Sequence, residues 1–393
     1  MAAKKRNINA SDISPRFLGL IGFCCLYIFF KAKGAFSLGP GLSLGLFLPF
    51  LAVCLVLPAA VHITLRRGGP SRAARIAFWA GYSWMGFVLL FLFVTTSIDI
   101  ATLLLGTASA LANNVPDIVS TSQMDRFILS LFLSIVLSGY ALMEAYFPRV
   151  KRVVIETEKL PRSVDRLRIA QISDVHLGPV VGKRRAQRIA AKIADVTPHI
   201  LVSTGDLIDS RPAYLSGLEG IFKGIQAPLG KFAVVGNHEV SAGLDKSIAF
   251  MEEAGFRVLR NETAVAGGII RIAGADDKAA GKDADGLRYC RGPGENGAGL
   301  FTLYLKHRPP PGNTGDGVDF DLQLSGHTHG GQLFPFRYVT LGYYPKLRGL
   351  YSLEQGKLLY VTPGAGTWGP PMRFLTPPEI TVIELVGART STG

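Results

Sequence analysis

The hydrophobic and polar positions divide the chain into two unlike halves. Long uncharged apolar runs fill the first 150 residues and then stop. Four stretches stand out, at 17–30, 42–65, 76–105 and 127–147. About 20 mostly apolar residues cross the hydrocarbon core of a bilayer. The second, third and fourth stretches meet that length and predict membrane-spanning helices. The first is shorter, and its length leaves open whether it crosses fully. It follows Lys4, Lys5 and Arg6 in the manner of a signal sequence, but it lacks an A-x-A cleavage site and three further spans follow. The expectation is an anchor of about four transmembrane helices over 1–150.

Beyond residue 150 the period changes. Short β-rich runs ending in polar residues alternate with helical stretches, the pattern of an α/β domain over 151–393. The predicted strands are 168–173, 200–204, 231–235, 269–273, 301–306, 322–325, 357–361 and 379–384. Helical periodicity covers 184–195, 214–225 and 244–254. Glycine and proline concentrate in 281–299 and 309–317, which read as loops.

Charge adds an orientation. The 393 residues carry a formal net charge of +13, and many of the basic residues flank the apolar runs, which favours an anionic membrane surface as partner. Lysine and arginine mark the cytoplasmic side of short loops. The N-terminus (Lys4, Lys5, Arg6, Arg16), the connection with Arg66, Arg67, Arg72 and Arg75, and the segment with Arg149, Lys151 and Arg152 are basic. The connection 106–123 has no lysine or arginine, and Lys31 and Lys33 in the first connection dissent mildly. Four spans with both ends inside fit best, placing the second half in the cytoplasm at an inner (cell) membrane. Asp99, Glu144 and His62 lie toward span ends, so the spans read as an anchor, not a transport path. Cys24, Cys25 and Cys54 sit in apolar runs and Cys290 stands alone, which excludes a disulfide framework and a zinc ribbon.

The candidate chemistry sits at strand ends. The first predicted strand runs into Ser173-Asp174-Val175-His176, the second into Gly205-Asp206-Leu207-Ile208-Asp209 and the third into Gly236-Asn237-His238-Glu239. His307 ends a later apolar strand, and Gly326-His327-Thr328-His329-Gly330-Gly331-Gln332 follows another. A lone strand-end aspartate is usually a turn residue. Here five of the seven histidines occupy such ends, and that co-occurrence points to metal ligation.

The order and spacing closely resemble the calcineurin-like metallophosphoesterase family, with D-x-H, G-D-x-x-D, G-N-H-[ED], a histidine and G-H-x-H in sequence. G-H-T-H-G-G-Q, Pro377-Pro378-Glu379-Ile380 and the apolar spans resemble its membrane-associated bacterial branch. The resemblance implies a central β-sandwich flanked by helices, joined here to the helical transmembrane bundle. It implies that Asp174, His176 and His329 hold one divalent metal, that Asn237, His307 and His327 hold a second, and that Asp206 bridges both. That donor set suits Mn, Fe or Zn, and two such ions can clamp a phosphate and activate water. His238 is then the non-ligand catalytic histidine, oriented by Asp209. Lys306-His307-Arg308 is a more charged flank than the family leads one to expect, with a bearing on substrate preference. Lys183-Arg184-Arg185, Arg348 and Arg373 are candidate phosphate forks, weighed evenly against solvated surface charge.

The expected activity is hydrolysis of a phosphate ester or pyrophosphate, with a lipid-linked substrate favoured by the anchor. A tethered phosphatase for soluble substrates is the second reading. A non-catalytic membrane sensor or scaffold is the third, against which the complete ligand set argues. No P-loop or recognisable nucleic-acid-binding motif is present. The sequence leaves the substrate, the native metals and the oligomeric state open.

Overall fold

The computed structural model describes residues 15–43, 45–52, 71–112, 121–209, 214–281, 299–313 and 318–387. The chain forms two compact units. One is Met1–Met143 with Gly369–Met372, and the other is Glu144–Trp368 with Arg373–Gly393.

The first unit is helical. Helix α1 (Pro15–Ala35) contains the first apolar stretch and extends it at both ends, and α2 (Arg72–Ala112) does the same for the third. Helix α3 (Gln123–Tyr146) covers the fourth. The second stretch begins in a short apolar helix, Pro40–Ala52, and its remainder at 53–65 lies outside the described residues. Among the described residues, α2 and α3 are long and apolar enough to cross a membrane. At 41 residues, α2 is about 60 Å long at 1.5 Å per residue, twice the hydrocarbon thickness.

Both helices turn apolar side chains outward. Trp79, Leu103 and Leu104 of α2 and Ile128, Phe132 and Ile135 of α3 are exposed, the reverse of a soluble protein's pattern. Several hydroxyls along them bond back to their own helix, as in Thr102 to Ile98 O and Ser134 to Ser130 O, which satisfies them in an apolar surround. Asp99 is neutralised within the unit, accepting from Tyr27 Oη at 2.8 Å and pairing with Lys31.

The second unit is a sandwich of two six-stranded sheets. Its elements, in chain order, are β1 (Arg149–Thr157), β2 (Arg166–Ile172), α4 (Lys183–Asp195), β3 (Ile200–Ser203), α5 (Glu219–Lys223), β4 (Lys231–Ala233), α6 (Asn237–Glu253), β5 (Arg257–Val258), β6 (Glu262–Ala266), β7 (Ile270–Ala275), β8 (Phe301–Lys306), β9 (Leu322–Ser325), α7 (Phe336–Tyr343), β10 (Gly349–Ser352), β11 (Leu358–Val361) and β12 (Glu379–Gly387). One sheet has the order β1-β12-β2-β3-β4-β5 and the other β10-β11-β9-β8-β7-β6. Strands β2 to β5 are parallel, as are β7, β8, β9 and β11.

Side-chain alternation builds the layers. Ile169, Ile200, Val202, Val234 and Ile383 meet Ile272, Leu303, Leu305 and Leu324 between the sheets. The intervening residues Ala170, Leu201, Ala233 and Val382 face α4, α5 and α6 on the other side. Both sheet faces of β2 and β3 are therefore buried, which explains their continuous apolar runs.

All eight predicted strands form, within a few residues at their ends. Strands β1, β5, β6 and β10 were not expected. Strand β1 carries the charged run Arg149-Val150-Lys151-Arg152 on an exposed edge, so its period was masked by solvent-facing charge. The helix expected over 214–225 is confined to the five residues of α5, because Gly217 takes φ +79° just before it. The helix expected from 244 starts at Asn237 and kinks at Gly243 (φ +110°). That earlier start places Asn237 on the first turn of α6.

Candidate metal centre

Every predicted ligand follows the carboxyl end of a strand. Asp174 and His176 follow β2, Asp206 and Asp209 follow β3, Asn237 and His238 follow β4, His307 follows β8, and His327 and His329 follow β9. The parallel arrangement within each sheet turns these ends to one rim, where side chains of open α/β sheets commonly converge on ligands. Backbone bonds continue the pairing past the strands, with Asp174 N donating to Gly205 O at 3.0 Å and His176 N to Asp206 O at 3.0 Å.

Five of these residues adopt left-handed backbone: Asp174 (φ +51°), His176 (+53°), Asp206 (+52°), His327 (+69°) and His329 (+50°). Each costs roughly 1–3 kcal/mol for a residue with Cβ. Two glycines clear the space between the loops. A Cβ on Gly205 (φ +94°) would lie 2.7 Å from His307 Nδ1, and one on Gly364 (φ +82°) would lie 2.7 Å from Asp174 Cβ.

The side chains converge in two groups. The ligating atoms of Asp174, His176 and His329 lie within 4.8 Å of one another, and so do those of Asp206, His307 and His327. Asp206 joins them: its Oδ2 is 3.1 Å from His307 Nε2 and 3.9 Å from His176 Nε2. A third grouping of His176, Asp206 and His238 meets the same distance. Two imidazole pairs touch nitrogen to nitrogen, His176 with His329 and His327 with His307, each at 3.1 Å. Electron-rich nitrogens at that separation need a proton or a cation between them, so the donor set fits metal ions.

Electrostatics agrees. Burial pushes the Asp174 carboxyl up. Burial acts the same way on Asp206, but His307 and His238 outweigh it and hold that carboxyl well below its usual range. Burial disfavours charge on His307 and His238, yet Asp206 chiefly overcomes it, pushing them up to about 10 and about 9. Burial, with the charges of His307 and Arg308, pushes His327 down to about 2. The Asp206 carboxylate thus draws positive charge into the cluster.

Asp209 accepts from or pairs with His238 Nδ1 at 2.8 Å and lies 3.6 Å from His176 Nδ1. His238 N donates to Asp206 Oδ1 at 2.8 Å, and the His238 ring stands edge-on to Trp368, centroids 6.3 Å apart. Gln332 fixes Trp368 by two bonds, Nε2 to Trp368 O at 2.9 Å and Oε1 from Trp368 N at 3.0 Å.

Several side chains of this region were not assigned roles from the sequence. Glu239 is fully buried and accepts from Gly236 N, Asp206 N and Ile208 N at 2.8, 2.9 and 3.0 Å. Arg308 reaches Asn237, His327, Asp277 and Tyr344. Asp277 and Tyr344 stand outside the five motifs, and only the unusual flank at Arg308 gave a signal.

Two candidate phosphate forks are otherwise employed. Arg373 is fully buried. It donates to the carbonyls of Gly366 (2.8 Å), His329 (3.3 Å), Thr376 (3.2 Å), Pro363 (2.7 Å) and Gly364 (3.3 Å), and burial lowers its pKa to about 9. Arg185 is buried too and donates to Ala145 O at 2.8 Å and Thr367 Oγ1 at 3.1 Å. Lys183, Arg184 and Arg348 are exposed.

The calcineurin-like phosphoesterase family model matches residues 167–331. An uncharacterized metallophosphoesterase of Aquifex aeolicus is 38% identical over 274 residues, covering 65% of this chain and 99% of that protein. A transmembrane protein with metallophosphoesterase domain from Danio rerio is 32% identical, covering 76% of this chain and 70% of that one. Among solved structures, the nuclease MPE of Pseudomonas putida aligns at 18% identity and a TM-score of 0.28, covering 51% of this chain and 77% of its own. The chain belongs to the calcineurin-like phosphoesterases, a family of metal-dependent hydrolases of phosphate esters. It is a membrane-associated member with apolar helices ahead of the catalytic fold.

Arg373 yields a stability prediction. Arg373→Met removes every donor that ties the loops 363–366 and 329 together, and should destabilise the protein by roughly 3 kcal/mol. The thermal midpoint of the detergent-purified full chain should fall by several degrees. An unchanged midpoint would show that those carbonyls do not depend on the guanidinium.

Proposed function

We propose that the protein is a membrane-anchored phosphoesterase working with two divalent cations, in which residues 1–150 form a multi-pass anchor and 151–393 the catalytic domain. The observation that carries this is the position of Asp206, whose Oδ2 lies 3.1 Å from His307 Nε2 in one donor group and 3.9 Å from His176 Nε2 in the other. Asp174, His176 and His329 would hold one cation, Asn237, His307 and His327 the other, with Asp206 shared. Imidazole, carboxylate and amide donors together favour Mn, Fe or Zn over calcium. Cations bound there supply charge neutralisation for a phosphoryl group and a nucleophile from water at neutral pH.

The chain's own groups complete the chemistry. His238 stays outside the two ligand sets and, as an imidazolium, donates a proton to the leaving oxygen. Asp209, bonded to His238 Nδ1, fixes the ring so that Nε2 is the donating atom. Trp368 walls the site beside that ring.

The substrate class we favour is a phosphate ester or pyrophosphate in a lipid-linked molecule. Apolar helices α2 and α3 supply the support, since a tethered enzyme meets membrane substrates at high local concentration. Soluble phosphate esters are the alternative. Basic connections flanking the apolar runs favour a cytoplasmic catalytic domain at the inner membrane.

Three outcomes test this reading. Asp206→Asn should weaken both half-sites together, so metal content and hydrolysis of a generic phosphodiester both fall, the latter by orders of magnitude. Two bound metals with full activity in that variant would refute the shared carboxylate. His238→Ala should keep the full metal content and lose about 10²- to 10⁴-fold in rate; loss of a metal instead would make His238 a ligand, as its grouping with His176 and Asp206 permits. For orientation, phosphatase reporters fused after Asn113 and at the C-terminus should be active and inactive respectively. Activity at the C-terminus would export the domain and remove inner-leaflet substrates from consideration.

A further inference from the structure

We propose that Arg308 is the side chain that grips the substrate's phosphoryl oxygens, and that loading of the neighbouring half-site releases it for that task. The inference rests on the two-cation reading above and concerns what the second half-site does to its neighbour.

His327 faces the cluster with Nδ1, which is 3.1 Å from His307 Nε2. It turns Nε2 the other way, to Arg308 Nη1 at 2.9 Å and Tyr344 Oη at 2.9 Å. A guanidinium can only donate. A bond from Arg308 therefore needs a lone pair on Nε2, and a neutral ring then carries its proton on Nδ1. Ligation through Nδ1 requires the opposite tautomer. Once Nδ1 gives its lone pair to a cation, Nε2 carries the proton and donates to Tyr344 Oη. Arg308 loses that acceptor.

The same loading acts on a second contact. Arg308 Nη2 donates to Asn237 Oδ1 at 3.0 Å, and Asn237 Oδ1 is the amide oxygen assigned to the same half-site. A divalent cation on that oxygen repels the guanidinium donating to it. Nη2 is set free, while Nη1 gives up His327 and keeps Tyr344 Oη at 3.1 Å.

Arg308 cannot simply swing into solvent. Its Nε donates to Asp277 Oδ2 at 2.6 Å, a side chain only 1% exposed. Asp277 is itself held, accepting from Ala279 N at 2.9 Å. The loaded centre thus keeps a tethered guanidinium at its edge, with Nη2 lacking an acceptor and Nη1 held by Tyr344 Oη alone. An oxyanion with paired acceptor oxygens satisfies that fork, and a phosphoryl group is the oxyanion this family hydrolyses. Lysine would supply the charge without the fork.

The test uses the detergent-purified full chain loaded with Mn²⁺, with inorganic phosphate as probe in calorimetric titration and metal content measured alongside. The wild type should hold two ions and bind phosphate. Arg308→Gln should still hold two ions and lose on the order of tenfold or more in phosphate affinity, the effect of one or two charge-assisted bonds. Arg308→Lys should recover part of that loss. Phosphate affinity within twofold of wild type in Arg308→Gln, with both ions present, would overturn the proposal. Loss of an ion from that variant would also overturn it, by making Arg308 a prop for Asn237 and His327. A wild type that takes up neither two ions nor phosphate would instead refute the two-cation reading itself.

Discussion

The centre depends on one buried carboxylate being held in place. Asp206 stands between the two donor groups with 2% exposure, and every element around it is arranged about that position. Its backbone N–H is bonded to Glu239, which also takes the N–H groups of Gly236 and Ile208. Three backbone donors on one fully buried carboxylate lock the loop after β3 to the start of α6. His238 N then closes the circuit by donating to Asp206 Oδ1. Asn237 and His238 are thereby positioned from the carboxylate whose Oδ2 lies 3.1 Å from His307 and 3.9 Å from His176 of the cluster. The left-handed backbone at Asp174, His176, Asp206, His327 and His329 is tolerable because these bonds, and the interstrand bonds of Asp174 N and His176 N, over-determine it.

The sequence made this site legible because its residues are rare in such combinations. Strands β2, β3, β4, β8 and β9 are buried apolar runs, and each ends abruptly in ligand types, so period and chemistry change at the same residue. What was missed shares a different character. Strand β1 is an edge strand whose charges face solvent, and neither its period nor its composition separates it from a loop. It pairs with β12 over Arg149–Thr157, a partner more than 200 residues away in sequence, and only the tertiary structure supplies that information. Glu239 looks like an ordinary first-turn acid on α6. Its role follows from three N–H groups, two of them on another loop. Asp277 and Tyr344 have no motif, and their involvement passes entirely through Arg308.

The arginines show how burial separates structure from recognition. Arg373, Arg185 and Arg308 are each rich in bonds, and composition cannot distinguish them. Arg373 spends its donors on backbone carbonyls, where they fix loops and leave nothing for a ligand. Arg185 bonds to Ala145 O and Thr367. Arg308 differs in the kind of acceptor: Asn237 Oδ1 and His327 Nε2 are side-chain atoms of the candidate site, not backbone carbonyls. Bonds to backbone carbonyls persist whatever the site binds.

The last turn of α3 is held by contacts of the same kind. Residues Glu144, Ala145 and Tyr146, the last turn of α3, belong to the catalytic unit. Arg185 of α4 bonds to Ala145 O, and Arg188 stacks its guanidinium 4.2 Å from the Tyr146 ring centroid and 4.4 Å from that of Phe147. Glu144 lies near Arg149 at 3.6 Å. Two residues, Phe147 and Pro148, separate the end of α3 from the start of β1. Helix α4 thus holds the last turn of α3 as part of the unit that carries the candidate metal centre, by one carbonyl bond and two ring contacts.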